Sequence, residues 1–435
     1  MPRLGLIRAF CCIVLTSFIL SACSVLNESG TYKKQAEQFV AEGHLAEGVL
    51  TYRQALKSDP DNPDLLKGLG MALAAQGRNR SAAHVLNQAV VKSPNNFSIQ
   101  NTLAKLIVQP QDGLSLKLSW LVNVMDARPI GAAVASGKIF IAYDGGHLIA
   151  LDQASGQELW KVESSVAFMS PPAADADQVW VGAEDGSIFV YNAASGATLG
   201  VFHTNGAVYA APALASETAY CPSNDGTLYA LNRASLQLKW KSVIGDALHV
   251  SPLVTEQAVY VGSNDGRLYG LDASTGERIW TYGILTQGAV ESIPTFANEK
   301  IFAGSGDGRI YALDAATGGE YWRFSTPDAI YAQPFVLNDQ LIVASSGRVL
   351  ASLRTLDGSA NWSLRFDHPI TKAPMFFKDQ LYVVTQSDPR LFAVDYQTGK
   401  LLGELNTRDW IASGPLIAGT DIIFVGADGA VFLYR

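Results

Sequence analysis

The side chains of this sequence that could bind a metal, form a disulfide or attack a substrate are few and widely spaced. Four cysteines occur in 435 residues, and three of them, Cys11, Cys12 and Cys23, lie near the amino terminus, leaving Cys221 alone in the body of the chain. The histidines are His44, His84, His147, His203, His249 and His368. They show no metal-ligand spacing, so the sequence predicts neither a metal site nor a disulfide framework.

Carboxylates recur more regularly, as Asp-Gly pairs at intervals of about 40 residues. The Asp residues are Asp144, Asp185, Asp225, Asp265, Asp307 and Asp428, with Ser346-Gly347 and Asp388-Pro389 in the equivalent places. Calcium needs six to eight oxygen ligands, whereas each of these carboxylates is alone on its loop. Asp-Gly also supplies the positive φ angles of a two-residue hairpin, so we interpret these pairs as turns.

The composition is that of a well-packed globular protein. Apolar residues make up 48% of the chain and charged residues only 17%, which excludes a largely disordered protein. The net charge of −8 and the absence of a basic block argue against nucleic-acid binding.

The first 22 residues are typical of a secretion signal. Arg3 and Arg8 precede an uncharged apolar run from Ala9 to Leu20, which is too short to span a bilayer comfortably. The segment that follows this run, Leu20-Ser21-Ala22-Cys23, resembles the lipobox of bacterial lipoproteins. The resemblance implies that Cys23 is lipidated and begins the mature chain. By the same resemblance, Ser24 favours the outer membrane, and residues 23–30 would form the tether. The alternative is an ordinary cleaved signal peptide.

Residues 31–108 repeat with a period of 34, as expected for paired helices. Equivalent small residues and prolines are Ala36 and Gly70, Gly43 and Gly77, Ala55 and Ala89, and Pro60 and Pro94. The pattern resembles the tetratricopeptide repeat, with residues 97–108 as a one-helix cap and residues 109–113 as a linker. A plain helical spacer is the alternative.

From residue 114 to residue 435 the pattern changes to short alternating strands separated by turns. A Pro opens the first strand of each unit, at Pro129, Pro172, Pro212, Pro252, Pro294, Pro334, Pro374 and Pro415. A Trp position recurs near the end of each unit, at Trp120, Trp160, Trp240, Trp280, Trp322 and Trp362, with Gly200 and Gly403 in the other two places. Eight units predict an eight-bladed β-propeller, a mainly β fold, with a small all-α domain before it.

The eighth unit is one strand short at Arg435. We expect residues 115–123, which include Trp120, to supply its outer strand and so to close the ring without exposed edges.

The segment from Ala312 to Trp322, which reads Ala-x-Asp-x-x-Thr-Gly-x-x-x-Trp, resembles the repeat of pyrroloquinoline quinone (PQQ) propellers. Quinoprotein dehydrogenases of that family imply adjacent cysteines over the quinone, a calcium site and an Asp near the axis. This propeller has Cys221 alone. The sixteen residues directly before the marker prolines include two cations, Arg128 and Lys372, and no acid. We therefore expect no cofactor and no enzymatic activity.

A lipobox followed by an eight-bladed PQQ-type propeller resembles the BamB family, lipoproteins of the β-barrel assembly machinery. The resemblance implies a periplasm-facing scaffold on the outer membrane of a Gram-negative bacterium, docked on a BamA-like barrel-inserting protein. This chain departs from the family by its helical repeats and by residues 245–250, which hold Leu248 but no Arg. A lipoprotein of a polysaccharide or pilus export complex, and a quinone- or small-ligand-binding propeller, remain alternatives.

We predict that a partner binds the loops at the channel mouth, mainly through residues three positions before each marker Pro. The predicted contacts are Met169, Tyr209, Leu248, His249, Glu291, Tyr331 and Trp410. The alternative is that these loop side chains only cover the ends of the blades.

Replacing Cys23 with Ala tests the anchor. The variant is expected to leave the membrane fraction and to keep the melting temperature of the wild type, because the lipid attaches outside the folded domains. Membrane fractionation and a thermal melt measure the two properties. Retention of Cys23→Ala in the outer membrane would contradict the lipobox interpretation.

Overall fold

A computed structural model describes residues 29–93, 99, 102, 116–124, 127–283, 289–407 and 410–435. The predicted signal peptide, Cys23 and the linker at residues 109–113 lie outside these residues. The chain divides into two compact units, Met1–Gln109 and Pro110–Arg435. In the part of the chain that is described, no helix has the length and apolar character needed to cross a membrane.

The first unit contains four described helices. They are α1 (residues 29–41), α2 (Leu45–Ser58), α3 (Pro63–Ala75) and α4 (Asn79–Lys92). Gly43 and Gly77 end the first helix of each pair with φ of 84° and 73°, where glycine is favoured. The Asn62 side chain caps α3 by accepting the backbone N–H groups of Asp64 and Leu65.

Equivalent positions of the 34-residue repeat have equivalent environments. Ala36 and Gly70 are buried at the first position, and Ala55 and Ala89 are buried at the second. A Cβ on Gly70 would overlap Leu86, so small residues allow the helices to approach closely. Of the predicted cap at residues 97–108, only residues 99 and 102 are described.

The second unit is an eight-bladed propeller in which every blade is a four-stranded antiparallel sheet. The strands of each blade are given from the inner to the outer one. Blade 1 contains β2 (Pro129–Ala135), β3 (Lys138–Tyr143), β4 (His147–Asp152) and β5 (Glu158–Glu163), and blade 2 contains β6 (Ala173–Ala174), β7 (Gln178–Gly182), β8 (Ser187–Asn192) and β9 (Thr198–His203). Blade 3 contains β10 (Ala213–Ala215), β11 (Thr218–Pro222), β12 (Thr227–Asn232) and β13 (Leu238–Val243), and blade 4 contains β14 (Leu253–Val254), β15 (Ala258–Gly262), β16 (Arg267–Asp272) and β17 (Arg278–Gly283). Blade 5 contains β18 (Thr295–Ala297), β19 (Lys300–Gly304), β20 (Arg309–Asp314) and β21 (Glu320–Ser325), and blade 6 contains β22 (Phe335–Leu337), β23 (Gln340–Ser345), β24 (Val349–Arg354) and β25 (Ala360–Arg365). Blade 7 contains β26 (Met375–Phe377), β27 (Gln380–Val384), β28 (Arg390–Asp395) and β29 (Leu401–Asn406), and blade 8 contains β30 (Ile411–Ala418), β31 (Asp421–Gly426), β32 (Ala430–Tyr434) and β1 (Leu118–Asn123).

The Asp-Gly pairs lie in the turns between the second and third strands, as predicted, but these turns are three or four residues long, and only the Gly of each pair has positive φ. In blade 3, Gly226 has φ of 77°, and Asp225 accepts the Thr227 N–H at 2.8 Å. The other Asp225 oxygen accepts the Tyr229 hydroxyl at 2.6 Å. Blades 4 and 5 repeat the same two bonds, so these carboxylates are occupied in holding their own hairpins.

The eighth blade is built from both ends of the described propeller, which confirms the split-blade prediction. Strand β1 pairs with β32, and Lys117 and Arg435 exchange two backbone hydrogen bonds of 2.9 and 3.0 Å. Trp120 and Val122 then pack in one buried cluster with residues of blades 8 and 1. Pairing the two segments gives blade 8 its fourth strand, and the shared cluster joins blade 8 to blade 1.

Each of the six Trp residues at the repeated position links its blade to the next. The six indole N–H groups donate to backbone carbonyls 33–35 residues later, at 2.9–3.2 Å. Each ring also lies over a glycine in the following blade, with φ of 71–73°, where a Cβ would overlap the indole. The Trp-over-Gly contact therefore explains both the Trp and the Gly of the repeated motif.

The absence of Trp at the two glycine positions, Gly200 and Gly403, has a different structural cause in each blade. Gly200 of β9 lies against Leu236, which occupies the following blade's glycine position with φ of 57° and fills the space of the missing indole. Gly403 of β29 precedes blade 8, in which the third strand, β32, pairs with β1 and not with a strand joined to it by a hairpin. The hairpin that would receive a Trp is therefore absent at that junction.

The exchange at Gly200 and Leu236 can be tested by a double-mutant cycle. Gly200→Trp alone is expected to destabilise the fold, because a side chain there overlaps Leu236, and Leu236→Gly alone removes the filling group. Together they rebuild the standard Trp-over-Gly contact. Chemical denaturation should therefore show the double variant to be more stable than the sum of the single variants by about 1–3 kcal/mol. Additive losses would show that the two positions do not form one contact.

Candidate functional site

Cys221, the only propeller cysteine, lies in β11 and is fully buried. Burial raises the pKa of its thiol well above its usual range. It packs with Trp180, Val208 and Leu231 as a small core residue. Its thiol is therefore unsuited to nucleophilic or redox chemistry.

The residues that precede the marker prolines place two cations in the same region. Arg128 precedes Pro129 of blade 1, and Lys372 precedes Pro374 of blade 7. Lys372 is solvent-accessible but surrounded by protein, and desolvation, followed by the charge of Arg128, lowers the pKa of its ammonium group. The two charges are thus close enough to repel each other. Within the described residues, no group of three or more His, Cys, Asp or Glu side chains could hold a metal.

Two of the predicted partner contacts meet on the loops at the ends of blades 3 and 4. The rings of Tyr209 and His249 lie edge to face, with centroids 5.4 Å apart. His249 Nε2 is 2.8 Å from Asn224 Oδ1, and Asn264 Nδ2 is 3.1 Å from His249 Nδ1. A neutral imidazole with its proton on Nε2 satisfies both bonds. We call Tyr209, Asn224, His249 and Asn264 the Tyr209 patch.

The two asparagines of the Tyr209 patch were missed by sequence reasoning. Each lies directly before an Asp-Gly turn, in the repeated segments Ser223-Asn224-Asp225-Gly226 and Ser263-Asn264-Asp265-Gly266. The recurrence of Ser-Asn-Asp-Gly in blades 3 and 4 was a usable signal. The pairing with His249 was not readable, because it joins residues 15 and 25 positions apart.

The other predicted contacts have different environments. Tyr331 and Trp410 are exposed, whereas Met169 and Glu291 are half-buried. Leu248 is fully buried beside Tyr220 and Val261, so we leave it out of the surface proposed below.

The residues four positions before the marker prolines are all buried in the seven blades in which they are apolar. They are Phe168, Val208, Leu248, Val290, Ile330, Ile370 and Ile411. Phe168, Leu248 and Val290, for example, each pack in a cluster that joins two neighbouring blades, so the series forms part of the core between blades.

The propeller matches the family model described as the β-propeller of the beta-alanine-activating enzyme, over residues 124–430. The chain belongs to this β-propeller family. Residues 39–106 match a tetratricopeptide-repeat model, which confirms the prediction for the helical unit. The sequence matches no curated protein.

Solved structures share the propeller fold at low sequence identity. BamB from Moraxella catarrhalis has a TM-score of 0.65 and 17% identity, and the match covers 74% of this chain and 99% of that one. The computationally designed Ika8 protein has the same TM-score and identity, covering 72% and 97%. The quinohemoprotein alcohol dehydrogenase ADHIIG from Pseudomonas putida HK5 has a TM-score of 0.64 and 12% identity, covering 80% and 81%. A scaffold shared by such different proteins establishes the fold and not the activity.

Proposed function

We propose that this protein is a non-catalytic lipoprotein of the outer membrane, facing the periplasm, that supports the assembly of β-barrel outer-membrane proteins. The Tyr209 patch, an ordered aromatic and amide surface on the loop end of a rigid propeller, is the observation that carries the proposal. The lipobox at Cys23 and the likeness to BamB support the location and the machinery.

The residues around the axis favour a scaffold over an enzyme. The likeness to a quinohemoprotein alcohol dehydrogenase, and a family named for a beta-alanine-activating enzyme, both bring enzymes into consideration. The quinone enzymes would require vicinal cysteines, whereas this propeller holds the buried Cys221 alone. The sixteen positions before the marker prolines hold the cations Arg128 and Lys372 and no acid. The carboxylate beside Arg128 is that of Asp144, a turn residue that accepts the Arg128 backbone N–H at 3.1 Å, so the region offers no acid–base pair.

The Tyr209 patch has the chemistry of a protein interface. Tyr209 is half-buried and His249 is exposed, so both rings keep a face for a partner. The bonds from Asn224 and Asn264 fix the imidazole before binding, which reduces the entropy lost when the partner docks. Tyr is among the residues enriched in binding hot spots.

The helical unit supports a second candidate function. Its match to tetratricopeptide repeats gives the chain a second protein-binding module, as expected for a lipoprotein of a polysaccharide or pilus export complex. In that case the helical unit, and not the Tyr209 patch, would hold the partner.

A binding experiment distinguishes the two candidate functions. It measures capture of a BamA-like barrel-inserting protein by the immobilised full chain. Tyr209→Ala combined with His249→Ala is expected to weaken binding by about 2 kcal/mol, or about thirtyfold, with little effect on the melting temperature. Tyr321→Ala is the matched control, because Tyr321 is an exposed aromatic residue of the outer strand β21, away from the loops.

Unchanged capture by the double variant would exclude the Tyr209 patch as the docking surface. Capture that is lost only when residues 31–108 are removed would support the helical unit in its place. Stoichiometric quinone in the purified protein would contradict the non-catalytic proposal.

A further inference from the structure

Two cations lie on either side of the split blade 8, at the end of the propeller that carries the Asp-Gly turns. Arg128 directly precedes β2 of blade 1, and Lys372 lies on the loop that leads into β26 of blade 7. The Arg128 carbonyl accepts the N–H of Asp144 at 2.9 Å, so Arg128 is beside the turn of its own blade. The loop that holds Lys372 is fixed in the same way, because its Pro369 carbonyl accepts the N–H of Gln386 at 2.8 Å. Strand β30 of blade 8 lies between the two blades, in contact with both β2 and β26.

The position of Lys372 is buried in most of the other blades. The equivalent residues, two positions before the marker prolines, are small or apolar and buried in five blades: Ser170, Ala210, Val250, Ser292 and Ala332. The Lys372 side chain reaches solvent but is surrounded by protein, and desolvation, followed by the charge of Arg128, lowers the pKa of its ammonium group. Both effects disfavour the charged form, so holding these two cations near each other costs free energy.

The carboxylates on the neighbouring turns are engaged elsewhere. Asp388 of blade 7 pairs with Arg390 at 2.8 Å, and Asp144 of blade 1 accepts the backbone N–H of Arg128 at 3.1 Å. Among the described residues, neither the guanidinium of Arg128 nor the ammonium of Lys372 makes an ion pair or a side-chain hydrogen bond. The described part of the propeller therefore brings two positive charges together without supplying the anion that would neutralise them.

Blade 8 adds a neutral hydrogen-bond donor between the two cations. Ser413 lies two residues before Pro415 and so occupies the position in blade 8 that Lys372 occupies in blade 7. Its hydroxyl oxygen accepts the N–H of Ala132 at 3.1 Å, and in the described structure its proton has no acceptor. Three consecutive blades thus place a guanidinium, a hydroxyl and an ammonium group at equivalent positions around the axis.

We propose that Arg128, Ser413 and Lys372 form a binding site for one oxyanion, a carboxylate or a phosphate group, at the loop end of the propeller. The planar guanidinium fork matches the two oxygens of such a group, the ammonium adds a second charge, and the hydroxyl adds a neutral donor. The bound anion offsets the repulsion between the two cations. This site goes beyond the proposed scaffold role and does not depend on the Tyr209 patch, which lies on blades 3 and 4.

The proposal is tested by isothermal titration calorimetry of the purified full chain with inorganic phosphate and, separately, with succinate, at constant ionic strength. Saturable binding of one anion per chain is expected. Binding of phosphate alone or of succinate alone supports the proposal and identifies which of the two groups the site takes. Lys372→Gln and Arg128→Gln should each weaken binding at least about tenfold, because each removes a charge-assisted hydrogen bond.

Lys378→Gln is the matched control. Lys378 is an exposed lysine of the same blade, in the turn between β26 and β27, at the other end of β26 from Lys372. Its replacement makes the same change in net charge and should leave the affinity for both anions unchanged. Lys372→Arg, which keeps the positive charge, should retain most of the binding.

Thermal melts provide a second measurement that separates a binding site from a structural lysine. Without added anion, Lys372→Gln should melt at the same temperature as the wild type or higher, because the substitution removes a desolvated charge and its repulsion from Arg128. Added phosphate or succinate should raise the melting temperature of the wild type more than that of the variant.

Three results would each overturn the proposal. One is the absence of saturable binding of both anions, and another is an equal loss of affinity in Lys372→Gln and Lys378→Gln. The third is a lower melting temperature of Lys372→Gln than of the wild type in the absence of anion, which would show that the lysine charge already stabilises the fold.

Discussion

The structure depends on closing a ring of blades that have no continuous backbone ladder between them. Every neighbouring pair must be held by side-chain contacts, and the ends of the ring must be joined by the chain itself. The first requirement is met mainly by Trp rings packed over glycines of the next blade, each with an indole N–H bonded to a carbonyl. The second is met by β1 pairing with β32.

A closed ring makes the loops at one end suitable for recognition. Because each blade is fixed between two others, a short loop such as the one holding Tyr209 is positioned by strands on both sides. The bonds of His249 to Asn224 and Asn264 then link the loop ends of neighbouring blades into one surface.

The sequence predicted the features that depend on local chemistry repeated at a fixed period. The Gly of each Asp-Gly turn and the recurring Trp are read directly from residue types, and they were sufficient to predict eight blades and a split eighth blade. Features that depend on one particular neighbour were not readable. Leu236 fills the space beside Gly200, 36 positions away, and His249 pairs with two asparagines 15 and 25 positions away. Neither contact recurs at the period of the repeat, so the sequence pattern does not predict it.

Closure by β1 is tested most directly by comparing a chain that begins at residue 111 with one that begins at residue 125. The longer chain keeps the strand that holds Trp120 and should unfold in one cooperative transition. The shorter chain should lose about 3–5 kcal/mol of unfolding free energy, as expected for losing a buried Trp, and a synthetic peptide of residues 116–124 should restore part of it. Equal unfolding free energies of the two chains would contradict the account.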